Sequence, residues 1–411
     1  MKIILNKEIF HQIFFTFCVV IPFFNNNELS FLFWLIAIGF TLKKTYSIDF
    51  IRYLFYFIFI FILALIVGFF YEYKLYFIIR DIVYISKPIL GLLIGYQFFS
   101  NKINNPFRFL LNAGIVMASI HLLLVLYGLI FQGARSVAEI RQYGGYFNDY
   151  EVYAFLILIF YKKFEINITK KQYRLFLVIM SLSTFFYLAR TNFIQLIILY
   201  LAIKGYFTLN KKLLINGVYI VFGGMLLYTS IYYYNPRRSG NTVDEFLFKI
   251  KNAPKEAFST KINTADWKDF NDNFRSYENI RTIEQIFYNQ TYLIGEGIGS
   301  QVDLNRKIKL GDKELRHISI LHNGYMTVLL KSGIFGILAL ILSMIYFIKK
   351  YSPVNEMEKN INNIFIGTGL FLIVSYWVFM GFYNPVDTKT LIIGFLFAYK
   401  NHIQKQKNNT I

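Results

Sequence analysis

Apolar runs long enough to cross a membrane recur along this chain, and they constrain its fold more than any other feature. About twelve such runs are present, at approximate positions 9–24, 29–42, 51–70, 76–99, 109–131, 147–161, 173–189, 191–207, 213–233, 320–348, 361–380 and 386–400. A helix of about 20 apolar residues spans the hydrocarbon core and satisfies its own backbone hydrogen bonds. The hydrophobic share of 56% exceeds that of ordinary soluble domains. The pattern predicts an all-α integral membrane protein of about twelve transmembrane helices.

The basic residues indicate how these helices are oriented. The formal net charge is +19, and most lysines and arginines lie in short loops near 43–50, 100–108, 162–172, 204–212 and 349–360. Cytoplasmic loops of membrane proteins carry this excess of basic residues. We therefore expect a multi-pass protein with both termini in the cytoplasm. Because the basic residues follow the membrane topology, the charge does not indicate nucleic acid binding.

One polar segment is much longer than the other loops. It covers residues 234–319 and is predicted on the outer side, after helices 1–9 (residues 1–233) and before helices 10–12 with a cytoplasmic tail (residues 320–411). The segment contains a helical pattern near 275–288, followed by a glycine-rich stretch at 295–299 that predicts a tight turn. Long loops with structure of their own are usually functional.

The tenth predicted helix opens at its outer end with His322-Asn323. An imidazole titrates near neutral pH and can transfer a proton, and the free N–H groups of a helix start favour an anionic ligand. We count Asn323 and Tyr325 with it as candidate substrate-binding residues. Further along, Gly333 and Gly336 would let a neighbouring helix approach closely. An interfacial histidine without chemistry is the alternative interpretation.

Arginines near the predicted outer rim form a second set of candidates: Arg135, Arg141, Arg190, Arg275 and Arg281. Arg190 lies between two apolar runs with almost no loop, where an unpaired cation is costly. A guanidinium presents a bidentate fork that matches phosphate oxygens, so a diphosphate is the ligand that we expect at Arg190. Arg135 and Arg141 lie in a loop whose aromatic side chains would stack on sugar rings. Snorkelling to lipid headgroups and pairing with carboxylates on the same helix are the structural alternatives.

A lysine inside the fourth apolar run is a further functional candidate. Lys87 precedes Pro88, and a cation at membrane depth is functional by default. Pairing with Asp81, about one and a half turns earlier, is the structural alternative.

Several kinds of chemistry are missing from the sequence. Cys18 is the only cysteine, so metal sites built from cysteines are excluded. The chain has no Walker loop, dinucleotide fingerprint, HExxH or GxSxG motif. We therefore expect no metal and no cofactor, and an activated substrate must supply the driving force.

Taken together, these residues resemble a known family. The spacing of His322-Asn323, nine residues, Gly333, two residues and Gly336 resembles the signature of the O-antigen polymerase and O-antigen ligase superfamily. The number of spans, the outer loop before the tenth, the rim around Arg190 and the stretch at 143–151 are similar to that family as well. The resemblance covers most of the chain from about 80 to 348.

The resemblance implies an integral-membrane glycosyltransferase of the C-type architecture in the bacterial cytoplasmic membrane. Its donor and acceptor would be oligosaccharide repeat units on undecaprenyl diphosphate, joined at the outer face with inversion and without a metal. His322 matches the family's essential histidine, and Arg190 and Arg275 match its diphosphate-binding arginines. Either Arg275 or Arg281 fits the second arginine, whereas Lys87 and Arg135 are weaker matches. Membrane lipid, a chain-length regulator and a flippase are the implied partners.

Three alternatives stay open at this point. A polymerase extends the glycan, whereas a ligase with the same signature transfers finished glycan to the lipid A core; the helical pattern before the glycine-rich turn favours a polymerase. A lipid-linked oligosaccharide flippase or another transporter would need charges buried along a central path and pseudo-symmetric halves. A non-catalytic assembly scaffold would tolerate the loss of His322 and Arg190.

Overall fold

The computed structural model describes residues 7–207, 211–237, 242–263, 265–310, 313–349 and 351–408. Residues 1–6 and 409–411, at the two ends of the sequence, lie outside these ranges, as do short parts of the predicted outer loop. Positions 208–210 and 350, in predicted cytoplasmic loops, lie outside them as well. The described elements are α1 (Lys7–Val20), α2 (Asn27–Thr41), α3 (Ile48–Gly68), α4 (Leu75–Ile85), α5 (Lys87–Phe98), α6 (Pro106–Phe131), α7 (Val137–Gly144), α8 (Asp149–Ile159), α9 (Lys170–Phe186), α10 (Arg190–Lys204), α11 (Lys211–Tyr234), α12 (Thr242–Phe258), α13 (Trp267–Asp272), α14 (Phe274–Tyr288), β1 (Val302–Leu310), β2 (Lys313–Ile318), α15 (Gly324–Ile348), α16 (Glu356–Phe379) and α17 (Lys389–Asn408).

The chain is mostly helical and membrane-embedded. Among the described residues, α3, α6, α15 and α16 are each long and apolar enough to cross a bilayer alone. The helix α1 with its following 3-10 turn, and α2, are apolar but shorter. Helix occupies each of the predicted apolar runs. The number of helices that cross the membrane stays a prediction.

One predicted run is divided into two helices. The run at 76–99 breaks at Ser86, which separates α4 from α5. Pro88 explains the break, because its ring has no N–H and crowds the carbonyl four residues earlier. The Ser86 hydroxyl donates to the Ile82 carbonyl at 2.6 Å and so satisfies a carbonyl in the last turn of α4.

The outer segment contains a β-hairpin that the sequence interpretation did not include. The antiparallel strands β1 and β2 pair Val302 with Ile318, and the register shifts before Ile308 pairs with Leu315. Apolar side chains of the hairpin pack on Phe270, Phe274 and Ile286 of the outer helices and on Leu321 and Leu330 beside and within α15. The hairpin therefore joins the outer helices to the start of α15.

The glycine-rich stretch is more than a tight turn, because its backbone inserts into α15. The N–H groups of Glu296 and Gly297 donate to the carbonyls of Leu330 and Lys331 at 2.7 and 3.1 Å, and Ile334 N–H donates back to the Tyr292 carbonyl at 2.9 Å. Non-helical backbone at membrane depth is tolerated only where protein satisfies it in this way.

Gly333 is the residue that makes this insertion possible. It has a φ of 61°, which interrupts the helical backbone of α15, and a Cβ at this position would collide with the Leu293 backbone. The expectation that Gly333 and Gly336 admit a neighbouring helix is therefore corrected. Gly333 admits a segment of the outer loop, and a Cβ at Gly336 would meet Ser332 of its own helix.

Buried ion pairs connect the helices below the outer surface. Lys331 of α15 donates to Asp81 of α4 at 2.5 Å, and Asp81 also accepts from Gly299 N–H at 2.7 Å. The alternative pairing of Lys87 with Asp81 is wrong, because Asp81 faces α15 instead. Lys389 of α17 pairs with Asp149 of α8 at 2.6 Å and with Asp387. Such pairs are costly to break, since one removed partner leaves a buried charge.

Candidate functional site: an arginine cavity and a histidine beside it

Three of the candidate arginines line one cavity near the predicted outer rim. Its volume is about 190 Å³, and Arg141, Arg190 and Arg275 come to it from α7, α10 and α14. Apolar side chains from α10, α12 and the end of α16 complete the lining, among them Ile194, Phe246, Trp377 and Phe379. The cavity thus combines concentrated positive charge with an apolar wall.

A sharp break between two helices directs Arg190 into this cavity. The helix α9 ends at Phe186, Leu188 has a φ of 47°, and α10 begins at Arg190. A positive φ at a leucine is strained and persists only where the surroundings hold it. The guanidinium donates through Nη1 to the main-chain carbonyl of Lys249 in α12. Arg190 therefore connects the membrane helices to the outer segment at the cavity.

Arg141 is half-buried against the same cavity by the short helix α7. A capping box formed by Ser136 and Glu139 begins this helix, and Arg141 Nη2 donates to the Tyr146 carbonyl at 3.2 Å. Burial lowers the pKa of Arg141, and the charges of Arg190 and Arg275 lower it as well, against a raising effect of Tyr146. Neighbouring cations that oppose each other's charge form an environment in which an anion is stabilising.

The two candidate arginines of the outer segment, Arg275 and Arg281, lie on different faces of α14. Arg275 and Asn279 are one turn apart on one face and both line the cavity. Arg281 points elsewhere: it pairs with Glu284, and its Nε donates to the Asp303 carbonyl of the hairpin at 3.3 Å. Of the two, Arg275 is the residue placed to meet a ligand in the cavity.

His322 contacts the adjacent face of α14 through Glu278. Glu278 is buried, and both of its carboxylate oxygens lie 3.0 Å from His322 Nδ1. The same carboxylate accepts from the His322 main-chain N–H at 3.1 Å. An Nδ1–H that donates to a carboxylate leaves Nε2 as the basic nitrogen of the ring. The imidazole side chain is 47% exposed, so it is accessible to a reacting group.

Asn323 and Tyr325, which follow His322 in the sequence, have structural partners. Asn323 caps α15, since its side-chain oxygen accepts from the N–H groups of Tyr325 and Met326 at 2.9 and 3.3 Å. The Tyr325 hydroxyl donates to the Ile373 carbonyl of α16 at 3.1 Å. These contacts fix the start of α15 and hence the position of His322.

Two weaker candidates lie away from the cavity. Arg135 is exposed just before α7, and it is not among the described residues that line the cavity. Lys87 is buried in α5 beside Trp34, with its Nζ 5.5 Å from the ring centre. The structure therefore brings together three of the predicted arginines and leaves Lys87 and Arg135 outside this group.

Sequence reasoning missed Glu278 as a partner of His322 and Lys249 as a cation at the cavity. Glu278 lies 44 residues before His322, and Lys249 lies 59 residues after Arg190. No short spacing pattern can reveal contacts over such distances. Within the described part of the chain, no group of three His, Cys, Asp or Glu side chains is placed to hold a metal ion.

Comparison of the chain with models of protein families, with curated proteins and with solved structures finds no match. We therefore infer function from the geometry of the cavity and of the histidine beside it.

Proposed function

We propose that this protein polymerises oligosaccharide repeat units carried on undecaprenyl diphosphate into O-antigen or capsular polysaccharide. The transfer would take place at the outer face of the bacterial cytoplasmic membrane, catalysed by a C-type glycosyltransferase of about twelve membrane helices with both termini inside. The observation that carries this proposal is the convergence of Arg141, Arg190 and Arg275 on one cavity with apolar walls.

The arginines would bind the diphosphate of the donor and stabilise it as it departs. The donor diphosphate is an anionic diester, and it gains a further negative charge when its bond to the sugar breaks. Preorganised cations that face developing charge are among the strongest sources of catalysis. Arginine suits this task because its planar fork donates two parallel hydrogen bonds to phosphate oxygens.

His322 would act on the acceptor. A hydroxyl oxygen of the acceptor sugar attacks the anomeric carbon of the donor sugar, and the carbon–oxygen bond to the diphosphate breaks. The hydroxyl proton passes to His322 Nε2, which the Glu278 contact at Nδ1 leaves basic. Attack opposite the leaving group inverts the anomeric centre. No metal or nucleotide takes part in this scheme.

The apolar wall supports a lipid-linked donor rather than a soluble nucleotide sugar. Ile194 and Trp377 line the cavity, and Ile373, one turn before Trp377 in α16, is 46% exposed. An isoprenoid chain leaving the diphosphate would meet apolar side chains there instead of polar groups. Lys331 and Lys389 are held in buried ion pairs and so do not provide the open charged path that a transporter needs.

The test is a gel of surface and lipid-linked polysaccharide from a deletion strain complemented with wild type or His322→Ala. We expect core bearing a single repeat unit in both the deletion and the mutant, with the ladder restored only by wild type. Naked core with long polymer still on the lipid carrier would identify a ligase instead. An unchanged ladder in the deletion strain would contradict the proposed function.

A further inference from the structure

The helix α12 of the outer segment covers the arginine cavity. Phe246, Lys249 and Ala253 line the cavity from a single face of this helix. The ring of Phe246 lies 6.2 Å from that of Phe193 in α10, and the Tyr228 hydroxyl of α11 donates to the Lys251 carbonyl at 2.9 Å. These contacts hold α12 against the membrane helices, so Lys249 is a fixed part of the cavity wall.

Lys249 already has a carboxylate partner, but a weak one. Its Nζ lies 2.7 Å from Glu245 Oε1, one turn earlier in α12, and both side chains are partly exposed, at 39% and 27%. Exposed ion pairs at this spacing contribute little, because water screens them and both side chains lose freedom. Glu245 is not among the described residues that line the cavity. The pair therefore holds Nζ against a carboxylate that does not line the cavity.

A diphosphate in the cavity would compete with Glu245 for this ammonium group. The phosphate carries more negative charge than a single carboxylate, and lysine reaches it through a flexible stem as a point charge. We propose, on the basis of the function proposed above, that Lys249 is a fourth cationic contact of the lipid diphosphate and that Glu245 opposes substrate binding by holding Lys249. The two residues then have opposite effects on affinity although they form one ion pair.

The experiment measures binding of farnesyl diphosphate and farnesyl monophosphate to the full-length protein in nanodiscs. We expect Lys249→Met to weaken binding of the diphosphate by about tenfold, which is the size of a hydrogen bond to a charged group. The loss for the monophosphate should be smaller. Glu245→Gln should strengthen diphosphate binding by roughly twofold, the contribution of an exposed ion pair at this spacing. The double variant should match Lys249→Met, because Glu245 acts only through Lys249.

Two outcomes would overturn this inference. One is unchanged diphosphate binding in Lys249→Met; the other is weaker binding in Glu245→Gln, since that result would make the pair a structural support of α12. Arg275→Ala serves as the control for the proposed function itself. If Arg275→Ala loses binding while Lys249→Met does not, only the role of Lys249 fails. If Arg275→Ala binds like wild type, the anion cavity fails.

Discussion

The arginine cavity lies on one face of α14, and the contact between His322 and Glu278, the histidine flank, lies on the adjacent face. The two are built on opposite principles. The cavity gathers positive charge from helices that are distant in sequence, and its arginines oppose one another. The flank holds one half-exposed imidazole on one buried carboxylate. The first arrangement suits a bound anion and the second suits proton transfer. On the function proposed above, α14 would separate donor binding from acceptor activation.

The same helix is held firmly at its far end. Gln285 donates to Glu296 at 2.7 Å and to the Gln301 carbonyl at 2.9 Å, and it accepts from Asp303 N–H at 2.9 Å. These bonds connect α14 to the inserted loop and to the hairpin. Because α14 positions both Arg275 and Glu278, a shift of this helix would disturb both halves of the site at once. Substitutions that leave α14 in place are therefore needed to distinguish the arginine cavity from the contact between His322 and Glu278.

The largest expected effect is the loss of transfer in His322→Ala. Removing a general base costs about 10²–10⁴-fold in rate, so polymer formation from lipid-linked repeat units in nanodiscs should fall by that range. His317→Ala is the matched control, because His317 lies on β2 and its partner is Asp303. Activity of His322→Ala within threefold of wild type would remove the histidine flank from the chemistry.

A second comparison separates the two arginines of α14. Arg275→Ala should raise the KM for the lipid-linked donor by roughly tenfold to a hundredfold, the cost of charge-assisted hydrogen bonds to phosphate. It should also lower kcat, because the same guanidinium would stabilise the departing diphosphate. Arg281→Ala should stay close to wild type, because Arg281 faces Glu284 and the hairpin. Steady-state kinetics over a range of donor concentrations measures both values. The reverse order of effects would assign the diphosphate to Arg281.

Glu278→Gln tests whether the carboxylate orients His322. We expect kcat to fall on the order of tenfold through the loss of a charge-assisted hydrogen bond, with the KM for the donor unchanged. Glu278→Leu, which removes the acceptor oxygens altogether, should lose more activity than Glu278→Gln. Equal rises of KM in both variants would mean that Glu278 supports the fold of α14 and not the histidine.

The smallest expected effect concerns the outer loop before α8. Arg141→Ala should raise the KM for the donor by about threefold to tenfold, because part of its hydrogen-bonding capacity is committed to the Tyr146 carbonyl. Arg135→Ala, six residues earlier and exposed, should change nothing. Steady-state kinetics of the two variants measures both KM values. Equal effects would mean that the loop attracts the donor through its net positive charge and not through a specific contact of Arg141.

Residue patterns with a short period were enough to predict the apolar helices and α14, but not α7, α12 or α13. The apolar runs reflect the thickness of the bilayer, so their positions follow from local hydrophobicity. The break at Ser86 was signalled by Pro88, and the hairpin by the apolar alternation of Val302 and Leu304, although neither was used. Arg190 could be singled out because a cation at a rim needs a reason, whereas Arg275 was matched through the family resemblance, with Arg281 left open.

The contacts that make the site could not be predicted in this way. The bond between His322 and Glu278 depends on how α14 docks against the start of α15, and no local pattern encodes that docking. Gly333 was noticed for its spacing, but its φ of 61° depends on the loop that inserts beside it. The partner of Asp81 was misassigned for the same reason, since Lys331 lies 250 residues away in sequence.

The most direct test of the separation across α14 is equilibrium binding of farnesyl diphosphate to wild type, Arg275→Ala and His322→Ala in nanodiscs. We predict that His322→Ala binds the diphosphate like wild type, although it does not transfer sugar, and that Arg275→Ala binds at least about tenfold more weakly. Equal losses in the two variants, or a loss in His322→Ala alone, would contradict the assignment of donor binding to the arginine cavity.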